Sequence, residues 1–209
     1  MPWFVNITRK DGDKEIVGTY LTAFIYDGSN YILTDIKIYA DAKVYIWDLV
    51  DLEKFKERVR NESVVTRLPE GANVIISLLT SFIVRDVHSY VDPEEFIKEV
   101  ADEIERLSGR PTAQERTHSA YKLFQAEQSE AARENLQQAY EAIPGHLRRF
   151  ALNNMDVQDV PIRMIIYGAN EIEKWTHRTI GRELGVKPLP TLHVPGAKPA
   201  PKNWWQFWS

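Results

Sequence analysis

In the stretch RDVHSYVDPEEF, Asp86, His88 and Tyr90 alternate, so a strand here would turn all three to one face. Asp92, Glu94 and Glu95 follow just beyond, at a helix start. A carboxylate and an imidazole on one face can ligate a divalent metal or pass a proton between them. Asp86 and His88 are therefore the candidate metal ligands. Each residue also has a plainer use, with Asp92 as a helix cap and the glutamates set against the helix dipole. The plainer use accounts for all of them, and no resident metal or cofactor is expected.

A second group combines PGHLRRF with EKWTHRTIGRE. His146, Arg148, Arg149, Arg163, His177, Arg178 and Arg182 could converge on an anion, because arginine pairs bidentately with phosphate or carboxylate. Glu171, Glu173 and Glu183 interleave with them, and Glu173 stands four residues before His177. That spacing equally describes an ordinary charged helix face.

The third feature is a concentration of aromatics. Trp204, Trp205, Phe207 and Trp208 crowd the last six residues, although the whole chain holds only 6 tryptophans. Together they offer roughly 600–1,000 Å² of surface to bury, more than the ~300–600 Å² of the largest apolar patch on a typical monomer. On a helical turn Trp204, Phe207 and Trp208 fall at i, i+3 and i+4, the spacing that suits a groove. Three destinations compete: the protein's own surface, a protein partner or second copy, and a membrane surface beside Lys198 and Lys202.

Other chemistries are excluded more firmly. The chain has 0 cysteines, which removes disulfides, thiol nucleophiles and thiolate zinc sites. It carries no Gly-rich phosphate loop, HExxH, GxSxG or dinucleotide fingerprint. The net charge of -4 argues against a dedicated nucleic-acid binder. The strand aromatics Tyr20, Tyr26, Tyr31, Tyr39, Tyr45 and Trp47 could stack bases, but Asp27, Asp35, Asp41 and Asp48 lie among them. The longest uncharged run, residues 72–84, is too short for a membrane span of about 20 residues and reads as buried sheet. The first 14 residues lack the basic and apolar regions of a secretory signal, so a cytoplasmic setting is expected.

These groups must be carried by recognisable elements. Residues 3–8, 15–26, 31–39 and 43–48 read as strands, separated by KDGDK, DGSN and the Ala40-Asp41-Ala42 turn. Asp51 opens a short helix in which Leu52, Phe55 and Val59 share a face. Strand resumes over 64–68 and continues to Tyr90. Asp92, Pro93, Glu94 and Glu95 start a helix that runs to Gly109, with Phe96, Ile97, Val100, Ile104 and Leu107 as its apolar stripe. Thr112 with Glu115 and then Ser129 start two more helices, and 146–152 reads as another short one. VPIRMIIY, residues 160–167, reads as a late buried strand, and 171–184 as a last amphipathic helix. From residue 186 prolines dominate, and the chain is expected to form an extended arm that contributes no core.

The fold class that follows is α+β. An antiparallel sheet over 1–91 precedes a helical region over 92–185, with a Pro-rich, Trp-tipped tail over 186–209. The expected function is a non-enzymatic interaction or adaptor module docking a protein partner through that tail. The alternative is an enzyme or anion binder using the Arg/His surface.

Overall fold

At the first hairpin, Gly12 sits at φ 59°, the left-handed backbone that a two-residue hairpin turn demands. It joins β1 (Ile7–Asp11) to β2 (Lys14–Tyr26), with Asp11 opposite Lys14. The Asp27 carboxylate accepts from the N–H of Ser29 and of Asn30, closing the next turn into β3 (Tyr31–Tyr39). The computed structural model describes residues 7–89, 91–185 and 192–200. Tyr90, the 3–6 part of the first expected strand and the aromatic group Trp204, Trp205, Phe207 and Trp208 lie outside them.

The chain divides into two units, Met1–Thr112 with Pro144–His146, and Ala113–Ile143 with Leu147–Ser209. In the first, β4 (Lys43–Tyr45) and β5 (Leu49–Asp51) extend an antiparallel order β1-β2-β3-β4-β5. β6 (Val64–Val65) pairs antiparallel with β2, and β7 (Asn73–Ile76) pairs parallel with β3. β8 (Thr80–Ile83) pairs antiparallel with β7. The α+β class is thus what the chain forms.

Local capping sets the two helices of this unit. Asp51 accepts from the N–H of Lys54 at the start of α1 (Leu52–Arg60), and Asp92 accepts from that of Glu94 at the start of α2 (Pro93–Leu107). Phe55 and Val59 of α1 pack with Phe96, Ile97, Val100 and Ile104 of α2 on the Ala23, Ile25, Ile36 and Ile38 face of the sheet. Gly18 is required on the opposite face: a Cβ there would lie 2.6 Å from the Ile38 carbonyl oxygen and from the Tyr39 ring.

Two expectations for this unit need correction. The uncharged run 72–84 is not buried throughout. It folds back on itself at Leu78 (φ 61°), and all four residues of β8 are exposed. Lack of charge permits burial but does not impose it, and β8 has only β7 beside it among the described residues. Nor does strand continue to Tyr90: Asp86 takes a left-handed φ of 53° and residues 84–89 form no strand, so Asp86 and His88 do not share a strand face.

In the second unit α3 (Ala113–Glu127) and α4 (Glu130–Ala142) start where the caps place them, and Ser129 Oγ accepts from the N–H of Ala132 at 3.1 Å. A 3-10 turn, Gly145–Phe150, stands where a short helix was expected. The expected strand at 160–167 is instead helix α5 (Val160–Tyr167). Pro161 stands in its first turn and Gly168 at its C-cap, the positions each residue favours in a helix. Val160, Pro161, Ile162, Met164, Ile165 and Ile166 are all buried, so the helix is apolar almost all round. A buried helix and a buried strand are indistinguishable in such a run. The expected helix over 171–184 is broken at Trp175, which is extended between a 3-10 turn (Ala169–Lys174) and α6 (Thr176–Glu183). Its indole is buried and its Nε1–H donates to the Asp156 carbonyl.

Residues 192–200 are not a detached arm. Val194 belongs to the core built on Phe124, Leu136 and Ile162. The Ala169 N–H donates to the Lys198 carbonyl at 2.9 Å, and the Lys198 N–H to that of Met164 at 3.1 Å. Gly196, at φ 72°, passes so near Phe124 that a Cβ would lie 2.9 Å from its ring. Proline-rich chain forms no internal hydrogen bonds, but here its main chain finds partners on α5 and on the 3-10 turn that follows it. Among the described residues no helix is long and apolar enough to cross a membrane.

Candidate functional site

Helix α2 turns more than its apolar stripe inward. Glu95 and Glu99, one turn apart, both reach the Pro144–His146 segment of the first unit. Glu95 Oε2 accepts from the Gly145 N–H at 2.5 Å, and Glu99 Oε2 lies 3.1 Å from His146 Nε2. The carboxylate of Glu99 and the imidazole of His146 are each about four-fifths buried, with side-chain exposures of 19% and 18%. Burial pushes the Glu99 carboxyl above the usual carboxylate range, with Glu103 adding to it and His146 opposing it. His146 Nδ1 is buried with no hydrogen-bond partner among the described residues.

This pair forms part of the wall of a cleft of about 490 Å³. Leu21, Ala23, Phe24, Leu33, Val91 and Phe96 supply apolar surface, and Thr22, Thr66, His88 and Ser89 supply polar groups. An apolar cavity of this size with a few convergent polar groups is the usual form of a small-ligand site. The hydroxyls in it are occupied: Thr66 Oγ1 donates to the Val91 carbonyl at 2.8 Å, and Ser89 Oγ to that of Thr66 at 3.2 Å. Thr22 Oγ1 donates to Asp35 Oδ1 at 3.0 Å, so none of the three hydroxyls is turned to an imidazole, an arrangement that suits holding a ligand better than attacking one.

The structure separates the residues singled out in the sequence. His88 lines the cleft, whereas Asp86 lies in the exposed segment before it. Among the described residues no group of three or more metal-ligating side chains comes together. Of the proposed anion-binding residues, His146 sits at Glu99, and the other six lie in the second unit. There Arg148 donates to the carbonyls of Ile143 and Glu141, satisfying the end of α4. Arg163 pairs with Glu171 at 3.2 Å and approaches Asp159 at 3.5 Å, while Arg178 and Arg182 share Glu173. Arg149 lies over the Phe150 ring, and His177 meets Trp175 edge-on. The arginines that could grip an anion mostly grip the unit's own carboxylates and carbonyls. Glu99 escaped the sequence reading because a glutamate on an amphipathic helix looks solvated. Its one legible signal is its place three residues after Phe96, on the border of the apolar stripe.

No curated protein and no solved structure matches this chain. A family model described as Domain of unknown function (DUF7639) matches residues 112–188. Its start falls one residue before the second unit begins at Ala113. Over residues 6–111, half of the chain, the match is to the family described as Domain of unknown function (DUF7638), and the chain belongs to that family.

Proposed function

We propose that the protein is a non-enzymatic binding module whose first unit takes a small ligand with an apolar body and an amine head. The observation that carries this reading is the Glu99–His146 pair on the wall of the apolar cleft. Burial, and after it the nearby carboxylate of Glu103, raise the cost of ionising Glu99, and a cationic head relieves it. The absence of cysteine agrees with a cytoplasmic setting for such a module.

Calorimetry with aryl-alkyl amines, matched with the corresponding alcohols and carboxylic acids, tests the proposal. The amines are expected to bind at least tenfold tighter than the acids. Glu99→Gln should abolish that preference while leaving the fold intact. Because the Glu99 pKa is raised, its stability contribution is fully present below the ordinary glutamate value and is lost as pH rises through the raised one. Amine affinity in the wild type accordingly falls as pH drops through the raised value. Equal binding of amines and acids would count against this reading.

A second reading concerns residues 201–209. The proposal is that Trp204, Trp205, Phe207 and Trp208 dock a protein partner, supported by the crowding of large aromatics beyond the packed segment 192–200. Full-length protein carrying Trp204→Ala and Trp208→Ala should keep the wild-type melting temperature but lose the partner retained by the wild type on an affinity column. A double variant that retains the same protein refutes the docking role.

A further inference from the structure

The hairpin of β7 and β8 holds its apolar side chains out to solvent. Thr80, Ser81, Phe82 and Ile83 are all exposed, Phe82 by 46% and Ile83 by 55%. At the turn Leu79 is 78% exposed and Leu78 fully so. Leu78 also takes a left-handed φ of 61°, in a turn closed by the Leu79 N–H on the Ile76 carbonyl. Glycine or asparagine is the unstrained choice at that position, so an apolar side chain is displayed there at a conformational cost. Residues 72–84 contain no charged residue, although 27% of the chain is charged. An outer strand is ordinarily guarded by lysine, proline or a bulge. β8 has the sequence TSFI and pairs with β7 without interruption, so it has none of the three.

The direction of its main-chain groups follows from two hydrogen bonds. The Val84 N–H donates to the Ala72 carbonyl, and the Val84 carbonyl accepts from the Gly71 N–H. Even-numbered residues of this strand therefore turn toward β7, whose Val74 lies opposite Phe82. Ser81 and Ile83 turn their N–H and C=O groups to the outer edge.

We propose that this edge pairs antiparallel with the same edge of a second copy, in a two-fold dimer centred on Ser81. Bonding across an edge needs outward-facing residues opposite one another, which allows centres at Ser81, Phe82 or Ile83. Centring on Ser81 sets Leu79 opposite the second copy's Ile83 and Thr80 opposite its Phe82. Every pair within the strand is then uncharged, and Arg85 passes beyond it to Ser77. Centring on Phe82 or Ile83 would instead place Arg85 opposite Leu79 or Ser81. The occupant is a second copy because the strand is complementary to itself, with no charge to repel its own counterpart. Leu78, Leu79, Phe82 and Ile83 expose roughly 500 Å² per chain, so two copies can bury about 1,000 Å², the scale a specific interface needs. A two-fold pair also closes on itself, whereas an uncharged strand left open recruits further chains. This inference does not depend on the amine-ligand reading.

Sedimentation of the full-length protein tests it. Over about 1–100 μM, the range open to an interface of modest area, the wild type should pass from monomer to dimer. Ser81 is exposed, so Ser81→Lys leaves the fold intact and sets two like charges against each other on the axis. It should weaken association at least tenfold, and Ser81→Glu should do the same. A residue on the axis meets only its own counterpart, so mixing Ser81→Lys with Ser81→Glu should restore the dimer. The absence of native cysteine provides a second readout. Ser81→Cys puts two thiols on Cα atoms about 5.5 Å apart, within disulfide reach, and should cross-link the copies under mild oxidation. Arg85→Cys, far from its own counterpart in this register, should stay reduced. Thermal melts report whether each variant is folded. A wild type that stays monomeric throughout, including one that instead binds phosphatidylcholine vesicles through Leu78 and Leu79, would overturn the proposal. So would Ser81→Lys that associates as the wild type does, or a mixture that fails to recover the dimer.

Discussion

Tyr140→Phe is expected to destabilise the second unit by about 3 kcal/mol, near the upper end for a hydrogen bond to a charged group. The phenol O–H donates to Asp159 Oδ2 at 2.5 Å, and both side chains are buried. Asp159 Oδ1 already has no hydrogen bond, only the Arg163 guanidinium 3.5 Å away. Removing one hydroxyl would leave a buried carboxylate without its one direct donor among the described residues, which costs more than the bond itself contributes. For a chain of this size the melting temperature should fall by roughly 6–12 °C. The pH dependence has a definite sign. Burial, then the hydrogen bond and charge of Asp159, push the Tyr140 phenol above its ordinary range near 10. The contribution is thus complete at neutral pH and is lost as pH climbs past 10. Thermal melts at pH 7 and at pH 10.5 should show the gap between the wild type and Tyr140→Phe narrowing at the higher value by no more than about 1 kcal/mol. A loss below about 1 kcal/mol at pH 7 would mean that water reaches Asp159.

Val194→Asp is expected to cost more, about 4 kcal/mol. Val194 is 8% exposed in the core formed with Phe124, Leu136 and Ile162, so the substitution removes apolar burial and sets a carboxylate among apolar side chains. The neighbouring His193 is exposed, and His193→Asp should change stability by less than about 0.5 kcal/mol. Chemical denaturation of the two variants measures the contrast. Comparable small losses would show that residues 192–200 peel away at little cost. A large difference establishes them as part of the folded unit.

The candidate site was only half legible in the chain. His146 stood out because imidazoles are scarce, and it was grouped with arginines for an anion. Its actual neighbour is Glu99, 47 residues earlier. Sequence spacing relates residues within one helix or strand, whereas this pair meets because Pro144–His146 belongs to the sheet unit. The reverse held for Arg163, Arg178 and Arg182, whose clustering in sequence suggested a ligand that their own carboxylates replace.

What the sequence determined by itself were the features decided within four residues of the chain. Asp51, Asp92 and Ser129 cap the helices that they precede, and the turn at Gly12 joins the strands that it separates. Those signals work because a cap or a tight turn is satisfied by its immediate neighbours, whatever the rest of the molecule does. Tertiary structure alone decided the fate of the apolar and proline-rich segments. Residues 160–167 became helix because their main chain bonds within itself in a site apolar on nearly every side. Residues 80–83 stayed exposed because no element covers them among the described residues. Residues 192–200 packed because Met164 and Ala169 offered main-chain partners. An apolar side chain specifies burial but not the partner or the backbone geometry, and only the surrounding surfaces supply those.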